Sequence, residues 1–391
     1  MREVYIIDGV RTPIAKAGKM SWFANVRVDD LGAACLKALV QRNGIDPAVV
    51  EDVVWATCSN AVKEQGSNLG RITVFMAGFP YSVAGCTVDR FCASGIQSIQ
   101  FAISTMMVGW ADCVIAGGAQ HMTRVPMGFM ADRHPDLGKY IDINAVSMGY
   151  TAEIVAREWG ISREAQDEFA MWSHQKAWKA TQEGKFKREI VPIEADVPQK
   201  DETTKRMVVD RDQGIRPETT MESLAKLEPV FMKDEKATVT AGNSSQINDA
   251  AAAVLIMTKE KAQELGLKPR LKMLSYAVVG LDPRIMGVGP IYAIPKALAR
   301  AGLRKEDIDV WEVNEAFASQ CVAVQRELDL PKDRLNMWGS GISLGHPLAC
   351  TGARMTTTLM NIMDDVDAKY GVVSMCVGHG QGVAAVFERI K

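Results

Sequence analysis

The sequence predicts a layered α/β fold built from two copies of one structural unit, with a separate segment inserted between the copies. Three observations support this prediction. Short apolar runs with the length of buried strands alternate with longer runs that have helical spacing. A helix-and-strand pattern near residue 40 returns near residue 300, and the composition changes between residues 121 and 249.

The first copy begins with a strand and then alternates. VYIIDGVRTP at 4–13 is typical of a buried strand, and DLGAACLKALVQRNG at 30–44 has helical spacing that stops at a glycine. A strand is predicted at 52–58, followed by a loop and a helix at 60–79. DCVIAGGAQ at 112–120 is rich in small apolar residues, which indicates a strand buried on both faces.

The second copy repeats this order at the level of individual residues. KALVQRNGIDPAVVEDVVW at 37–55 aligns with KALARAGLRKEDIDVWEV at 296–313 with about one gap, a separation of about 259 residues. The same offset carries Cys92 to residue 351, where GHPLACTGAR enters another helix, and YGVVSMCVGHGQG at 370–382 supplies the next strand. If the copies pack about a pseudo-twofold axis, both helix starts meet at one crevice.

Residues 121–249 form the inserted segment, which is rich in charged residues, methionine and tryptophan. An amphipathic helix is predicted at 162–184, with a capped start at Ser162. The segment at 237–257 is expected to return the chain through a turn and a helix into the last strand of the first copy. An insertion of this size is commonly a lid or a ligand platform. The predicted domains are a first half at residues 1–120 and 250–267, the insertion at 121–249, and a second half at 268–391.

Composition and charge exclude several classes of protein. The 391 residues carry 45 basic and 47 acidic side chains, and this net charge of −2 gives no general attraction for nucleic acid or an anionic membrane. No stretch approaches the roughly 18 apolar residues that a membrane span needs, and the N-terminal segment does not have the pattern of a secretory signal. The eight cysteines are dispersed without a CxxC pair, so we predict reduced thiols, no metal site and a cytoplasmic location.

Cys92 in VDRFCASG stands directly before a helical run, and two interpretations are open. A buried cysteine is commonly a small core hydrophobe. The first turn of a helix, however, presents unpaired N–H groups and a partial positive charge that lower the pKa of a thiol. His346 and Cys376 lie among glycines, where backbone N–H groups can approach a ligand closely. The repeat places these residues on equivalent turns of the two copies, which favours a catalytic role.

Four short stretches, taken in order, resemble the thiolase family. VDRFCASG resembles its nucleophile motif, VNEAFA its Asn-Glu-Ala-Phe motif, GHPLACTGAR its Gly-His-Pro motif and CVGHGQG its Cys-x-Gly motif. The resemblance extends over the whole chain and is greatest to the 3-ketoacyl-CoA thiolases of fatty-acid β-oxidation, partly through RVPMGF at 124–129. It implies duplicated βαβαβαββ halves in a layered α-β-α-β-α arrangement with an inserted loop domain.

The resemblance implies an acetyl-CoA C-acyltransferase that cleaves a 3-ketoacyl-CoA with CoA into acetyl-CoA and a shortened acyl-CoA. Cys92 would carry the acyl group after His346 takes its proton. Cys376 would protonate the leaving acetyl-CoA carbanion and then deprotonate the incoming CoA. Asn314 would hold a water that stabilises the enolate together with His346, and the N–H groups of Cys92 and Gly378 would stabilise the tetrahedral intermediate.

Coenzyme A is implied as a co-substrate, with no permanently bound cofactor. The chain has no GxxxxGK phosphate loop, so the insertion is expected to bind the CoA. By the same resemblance, Ser245 would contact the pantetheine, and Arg216 and Ser223 would lie near the nucleotide. The methionines and phenylalanines implied to line the tunnel have ordinary core packing as their alternative role. The implied tunnel residues are Phe231, Met148, Met286, Ala316 and Phe317.

Two other functions stay open at this point. The chain could be a biosynthetic thiolase that makes acetoacetyl-CoA, which a thiolysis assay across acyl lengths would separate. It could also be a degenerate member that binds acyl-CoA without turnover, although the presence of every implied catalytic residue argues against that role. His379, beside Gly378, departs from the family pattern and either alters the polarity of the pocket or faces outward.

The resemblance also implies an assembly. A homodimer or homotetramer is expected, and the small-residue strand at 112–120 is predicted to supply a twofold contact. A partner that carries hydratase and dehydrogenase activities is a further possibility of the resemblance.

Overall fold

The computed structural model describes residues 1–58 and 62–391 of the chain. Its first part alternates strands and helices as the sequence predicts. The predicted segment at 60–79 contains one helix, and its residues 60 and 61 lie outside the described residues. The elements are β1 (Val4–Arg11), β2 (Ala15–Lys16), α1 (Val28–Arg42), β3 (Asp52–Ala56), α2 (Leu69–Met76), β4 (Cys86–Val88), α3 (Ser94–Met107) and β5 (Cys113–His121).

The inserted segment holds three helices and a two-stranded ribbon among its described elements. The predicted capped helix is confirmed, because the Ser162 hydroxyl accepts a hydrogen bond from the Ala165 N–H at 3.2 Å. The elements are α4 (Met148–Glu158), α5 (Arg163–Gln182), β6 (Ile193–Pro198), β7 (Thr204–Val209) and α6 (Met221–Ala225).

The chain then returns to the first half and continues into the second. In the described part of the chain, no helix is long and apolar enough to cross a bilayer. The elements are β8 (Asn248–Thr258), α7 (Lys259–Glu264), β9 (Leu271–Gly280), α8 (Gly289–Ala301), β10 (Val310–Val313), α9 (Ala318–Glu327), α10 (Leu348–Asp365), β11 (Tyr370–Val377) and β12 (Gln381–Arg389).

One local prediction is wrong. The helix expected within 237–257 is absent, and β8 is a single strand of 11 residues, all of them buried. Its four alanines at 250–253 favour a helix in isolation. In the fold, β8 forms hydrogen bonds with β1 on one side and β5 on the other, and its small side chains allow helices to pack on both faces.

Ten of the twelve described strands form one sheet of two equivalent halves, and β6 and β7 form a separate ribbon. The order is β10-β11-β12-β9-β1-β8-β5-β3-β4, with β2 paired to β8. In the first half the pairs β5-β3 and β3-β4 are parallel, in the second half the pair β10-β11 is parallel, and the inner pairs of both halves are antiparallel. The halves join through the single pair of Ile6 and Leu271, and a parallel bridge from Trp311 to Leu335 occupies the place that β4 has beside β3. The predicted duplication is therefore confirmed.

Helices α3 and α10 form the central layer of the molecule. Their buried side chains join the inner faces of both halves of the sheet in one apolar cluster. Helices α1 and α2 cover the outer face of the first half, and α8 and α9 cover the outer face of the second. This gives the predicted α-β-α-β-α layers, in which the central strands are covered on both faces.

The predicted twofold contact through the strand at 112–120 is wrong. Strand β5, which contains most of it, lies between β3 and β8, and all nine of its residues are buried. Because both edges of β5 are already paired, another subunit has no access to it. The exposed edge of this half is β4, and Met76 and Phe75 of the preceding helix are exposed nearby in sequence.

Candidate active site

The predicted catalytic residues lie at the ends of elements that meet in the middle of the fold. Strands β10 and β11 run parallel, and the Asn314 N–H donates to the Ser374 carbonyl at 2.9 Å just past the end of β10. Cys376 lies two residues further along β11. Cys92 and His346 lie just before α3 and α10, which contact each other through their first turns at Gly95 and Ala349.

Cys92 lies in a single 3-10 turn, Phe91–Ala93, that leads directly into α3. The residue is 6% exposed. Burial raises the pKa of its thiol to about 11, and hydrogen bonds from the N–H groups of Gly378 and of Cys92 itself only partly oppose this effect. The prediction of a lowered pKa at the helix start is wrong for the free protein, because loss of water around the sulfur outweighs the helix terminus.

The reactivity of Cys92 toward alkylation should follow from this pKa. With a pKa of about 11, the thiolate fraction increases about tenfold per pH unit across the range from pH 7 to pH 10. We therefore expect the rate of iodoacetamide modification at Cys92, measured by peptide mass spectrometry, to rise throughout that range. A plateau below pH 9 would contradict the expectation. The variant Cys86→Ser removes the exposed competing thiol.

His346 is buried and held in one orientation. Its Nδ1 lies 2.7 Å from the Thr351 Oγ1, and the Thr351 hydroxyl is 3.1 Å from the Pro347 carbonyl. If the hydroxyl donates to that carbonyl, Nδ1 must carry the proton and Nε2 is the acceptor, 3.3 Å from the Asn314 Nδ2. Burial, assisted by the positive charge of Arg354, lowers the pKa of His346 to about 3, so the imidazole is neutral at pH 7.

Thr351 should therefore matter for the rate. In Thr351→Val the shape is kept, but the partner of the His346 Nδ1 is lost. We expect kcat to fall roughly tenfold to a hundredfold, because leaving a buried donor unpaired costs about 1–3 kcal/mol. Thr351→Ser keeps the hydroxyl and should stay within about threefold of the parent rate. A valine variant as fast as the serine variant would show that the tautomer is not set by residue 351.

The side chains of Asn314 and Cys376 are also buried. Asn314 Oδ1 has no hydrogen-bond partner among the described residues, so it is available to a ligand. Burial and the neighbouring Cys92 raise the pKa of the Cys376 thiol well above its usual range. Glu315 accepts hydrogen bonds from the side chains of Ser173 at 2.5 Å and Asn336 at 2.8 Å, consistent with support of the loop.

Most of the predicted tunnel residues lie together. Met148 packs against a small apolar cluster that includes Cys376, and a Cβ placed on Gly149 would overlap the ring of Phe231. The rings of Phe231 and Phe317 meet edge to face, with centroids 5.8 Å apart. The other predicted members of the same cluster are Met286, Ala316 and Phe317.

The predicted CoA contacts are less closely grouped. The Ser245 N–H donates to the Ala316 carbonyl at 2.9 Å, which places it beside the apolar cluster. The Arg216 N–H donates to His174 Nδ1 at 3.2 Å on α5. Ser223 caps α6 with Thr220, and its hydroxyl donates to the Thr220 carbonyl at 2.8 Å. No hydrogen bond in the described part of the chain joins Arg216 or Ser223 to the cysteines or His346.

His379 faces outward beside the nucleophile turn. It is exposed, its φ is 62°, and its ring meets Phe91 edge to face at 4.7 Å between centroids. Phe91 has φ 46° and directly precedes Cys92. Of the two possibilities for His379, the exposed orientation is the one observed.

Comparison with known proteins decides the family. A model described as the N-terminal domain of thiolase matches residues 4–260, and one described as the C-terminal domain of thiolase matches residues 267–389. The chain belongs to the thiolase family. The resemblance of the four motifs is thereby confirmed, and so is the predicted fold.

Individual thiolases resemble the chain over its full length. A 3-ketoacyl-CoA thiolase of Bacillus subtilis is 48% identical over 393 residues, covering 99% of this chain and 100% of that protein. One of Idiomarina loihiensis is 46% identical over 394 residues, covering 100% of both. The crystal structure of the Bacillus anthracis acetyl-CoA acetyltransferase has a TM-score of 0.90 and 38% identity, and covers 100% of this chain and 99% of that chain.

Two polar residues of this thiolase site are not predicted from the sequence. The repeat gives one indication of Thr351, because the offset from Cys92 ends at that position. Nothing in the sequence indicates Gln320, which contacts Cys376, because glutamine in a helix is usually exposed.

Proposed function

We propose that the chain catalyses the thiolysis of 3-ketoacyl-CoA by CoA, through an acyl group carried on Cys92. One observation supports this proposal most: the buried thiols of Cys92 and Cys376 are neighbours, and the neutral His346 lies 3.3 Å from the Asn314 amide, whose Oδ1 has no partner among the described residues. A thiol, a base and a second proton carrier are the groups that this acyl transfer requires. CoA enters as a co-substrate, and no permanently bound cofactor takes part.

In the first half of the proposed reaction, the Cys92 sulfur attacks the keto carbon while His346 Nε2 accepts the thiol proton. A free thiolate is scarce because burial raises the pKa of Cys92 to about 11, so attack and proton transfer are coupled. The bond between C2 and C3 of the substrate then breaks. The acyl group stays on Cys92, and the electron pair on the acetyl-CoA carbon takes a proton from Cys376.

In the second half, the Cys376 thiolate removes the thiol proton of CoA. The CoA sulfur attacks the acyl carbon on Cys92, and the Cys92 sulfur leaves with the proton held by His346. Both side chains return to their starting protonation states. The same groups can run these steps in reverse as a Claisen condensation.

The negative charges that develop in these steps need donors in fixed positions. The N–H groups of Gly378 and Cys92 both contact the Cys92 sulfur, so they lie near the oxygen of the substrate carbon that this sulfur would attack, where the tetrahedral oxyanion would form. For the enolate oxygen we propose His346 and a water held by the Asn314 Oδ1, which has no partner among the described residues. Loss of one such donor typically costs roughly a hundredfold or more in kcat.

The remaining predicted contacts are part of the proposal. Ser245 would hold the pantetheine arm, because its backbone is anchored to Ala316 in the apolar cluster. Arg216 and Ser223 would lie near the nucleotide. The acyl chain would occupy the space beside the cluster formed by Met148, Met286, Ala316 and Phe317, with Phe231 at its exposed side.

A thiolysis assay across acyl lengths tests the proposal. We expect cleavage of 3-ketoacyl-CoA substrates longer than acetoacetyl-CoA, measured as loss of substrate that depends on added CoA. A second candidate is the biosynthetic acetoacetyl-CoA thiolase, which the similarity to the acetyl-CoA acetyltransferase structure favours. Cleavage of acetoacetyl-CoA alone would select that candidate, and binding of acyl-CoA without any turnover would leave only a binding protein.

Assembly and location complete the proposal. We propose a homodimer or homotetramer that joins through the exposed edge of β4, because an unpaired edge with exposed Phe75 and Met76 nearby is a natural contact. Light scattering that gives a monomer would contradict it. We also propose a partner subunit that carries hydratase and dehydrogenase activities. The free state of all eight cysteines supports a reducing, cytoplasmic location.

Three domains are proposed. The first half consists of residues 1–120 and 250–267, the insertion of residues 121–249, and the second half of residues 268–391.

A further inference from the structure

Gln320 is a polar residue placed against one of the two reactive sulfurs. It lies in the first turn of α9 and is 0% exposed. Its Oε1 is 4.0 Å from the Cys376 Sγ, at the outer limit of an S–H···O contact. Its Nε2 has no hydrogen-bond partner among the described residues. A buried amide with an unpaired N–H group costs free energy, and such groups recur where function requires them.

The Gln320 amide is a polar group next to Cys376 in otherwise apolar surroundings. Cys376 otherwise belongs to an apolar cluster with Met286, Phe317 and Ala152. Gly287 makes room for the stem of the Gln320 side chain, because a Cβ at position 287 would lie 3.1 Å from the Cβ of Gln320. The long polar side chain of Gln320 therefore packs among apolar residues and ends beside the Cys376 sulfur.

A carboxamide can serve both protonation states of a thiol. Its oxygen accepts from S–H, and its NH₂ group donates to a thiolate after half a turn about the last side-chain bond. The two faces of an amide have nearly the same shape, so the exchange needs no rearrangement of the packing.

We propose that Gln320 is a positioning residue for Cys376. The Gln320 amide oxygen accepts a hydrogen bond from the Cys376 S–H group, and the amide N–H group donates to the Cys376 thiolate; this role rests on the proposed function of Cys376. When the S–H bond breaks and a C–H bond forms on the acetyl-CoA carbon, the electron pair stays on sulfur and the amide turns to donate. When the thiolate takes the proton of CoA, the amide turns back.

The other titratable groups near this sulfur, among the described residues, are Cys92, Cys321, Glu315 and the His346 of the proposed site. Cys92 faces Cys376 from the turn before α3, Cys321 lies beside the Gln320 amide on α9, and Glu315 lies beyond Cys321. Cys321 donates to the Asn314 carbonyl at 3.6 Å, so its thiol is already engaged. A change at position 320 leaves Cys92 and Glu315 as they are, but it also removes the contact of the Gln320 side chain with the Cys321 sulfur.

The test compares Gln320→Met, which keeps size and packing, with Gln320→Glu, which keeps an acceptor but has no N–H donor. For the methionine variant we expect kcat of thiolysis to fall about tenfold or more, with KM for the acyl-CoA within about threefold, because only the proton carrier is affected. The glutamate variant should be slow as well. Gln325→Met on the same helix is the matched control and should keep the parent rate.

A second readout does not depend on turnover. In a Cys92→Ala background, iodoacetamide modification of Cys376 is followed by mass spectrometry from pH 7 to pH 10. Gln320→Met should slow it about threefold or more at each pH, because the thiolate has lost its donor. If the methionine variant fails to fold in a melting experiment, the glutamate variant carries both comparisons.

The outcomes separate the two proposals. Parent-like kcat and an unchanged Cys376 profile in the position-320 variants overturn the role of Gln320, whatever the parent enzyme does. A parent chain that shows no thiolysis, together with a shifted Cys376 profile, overturns the proposed function but supports the contact.

Discussion

Cys92→Ala is expected to abolish thiolysis, with a loss of roughly ten-thousandfold or more, as when the nucleophile of other covalent enzymes is removed. Cys92 is the sulfur that lies beside the Gly378 N–H group and the start of α3. The buried methyl of alanine fits the same space, so the fold should be kept. Parent protein mixed with an acyl-CoA should gain the mass of one acyl group at Cys92, and the variant should gain none.

The matched control is Cys113→Ala, which removes another buried thiol at the start of β5. It should keep the parent rate and the acyl mass. Binding of acyl-CoA by the Cys92 variant, measured by calorimetry, separates loss of chemistry from loss of fold. Thiolysis by Cys92→Ala above about 1% of the parent rate would contradict acyl transfer through this residue.

Gly352→Ala is expected to destabilise the fold strongly. A Cβ on Gly352 would overlap the backbone nitrogen of Ile96 and lie 2.9 Å from its Cβ, where α10 crosses α3. Gly95 repeats the contact, because its Cβ would lie 2.6 Å from the Ala349 carbonyl. Backbone atoms cannot turn aside as a side chain does, so we expect a loss of about 3 kcal/mol or more in the free energy of unfolding. Urea denaturation measures it.

Gly138→Ala is the matched control for this prediction. In the described part of the chain its Cβ would meet only the Ile143 Cβ, at 4.0 Å, and its φ is not positive. The free energy of unfolding should therefore change by less than about 0.5 kcal/mol. Because α3 and α10 carry Cys92 and His346 at their starts, any folded Gly352→Ala should also lose activity. Equal denaturation midpoints for the two variants would show that the helices can separate at little cost.

The sequence was informative where a pattern is local or repeated. The hydroxyl of Ser162 predicted a helix start because capping involves only neighbouring residues. The likeness of 37–55 to 296–313 predicted two equivalent half-sheets, because a repeated pattern of helix, turn and strand folds in the same way twice. The motifs around Cys92 and His346 then indicated the family, which the comparisons confirm.

The sequence failed where the outcome depends on what packs against a segment. The alanines of β8 favour a helix by propensity, but hydrogen bonds to β1 and β5 make them a central strand. Strand β5 has the composition of a contact strand, yet its two neighbours bury it. Local propensity is worth tenths of a kcal/mol per residue and is readily outweighed by burial.

By itself, the sequence determined the order of the elements, their duplication, the family and the reactive residue types at 92, 314, 346 and 376. Only the tertiary structure decided how those groups are set: the thiol of Cys92 is protonated, the imidazole of His346 is neutral and oriented by Thr351, and Cys376 has Gln320 beside it. The reason is that proton affinity and orientation depend on the loss of water and on partners from distant parts of the chain, which no short stretch of sequence contains.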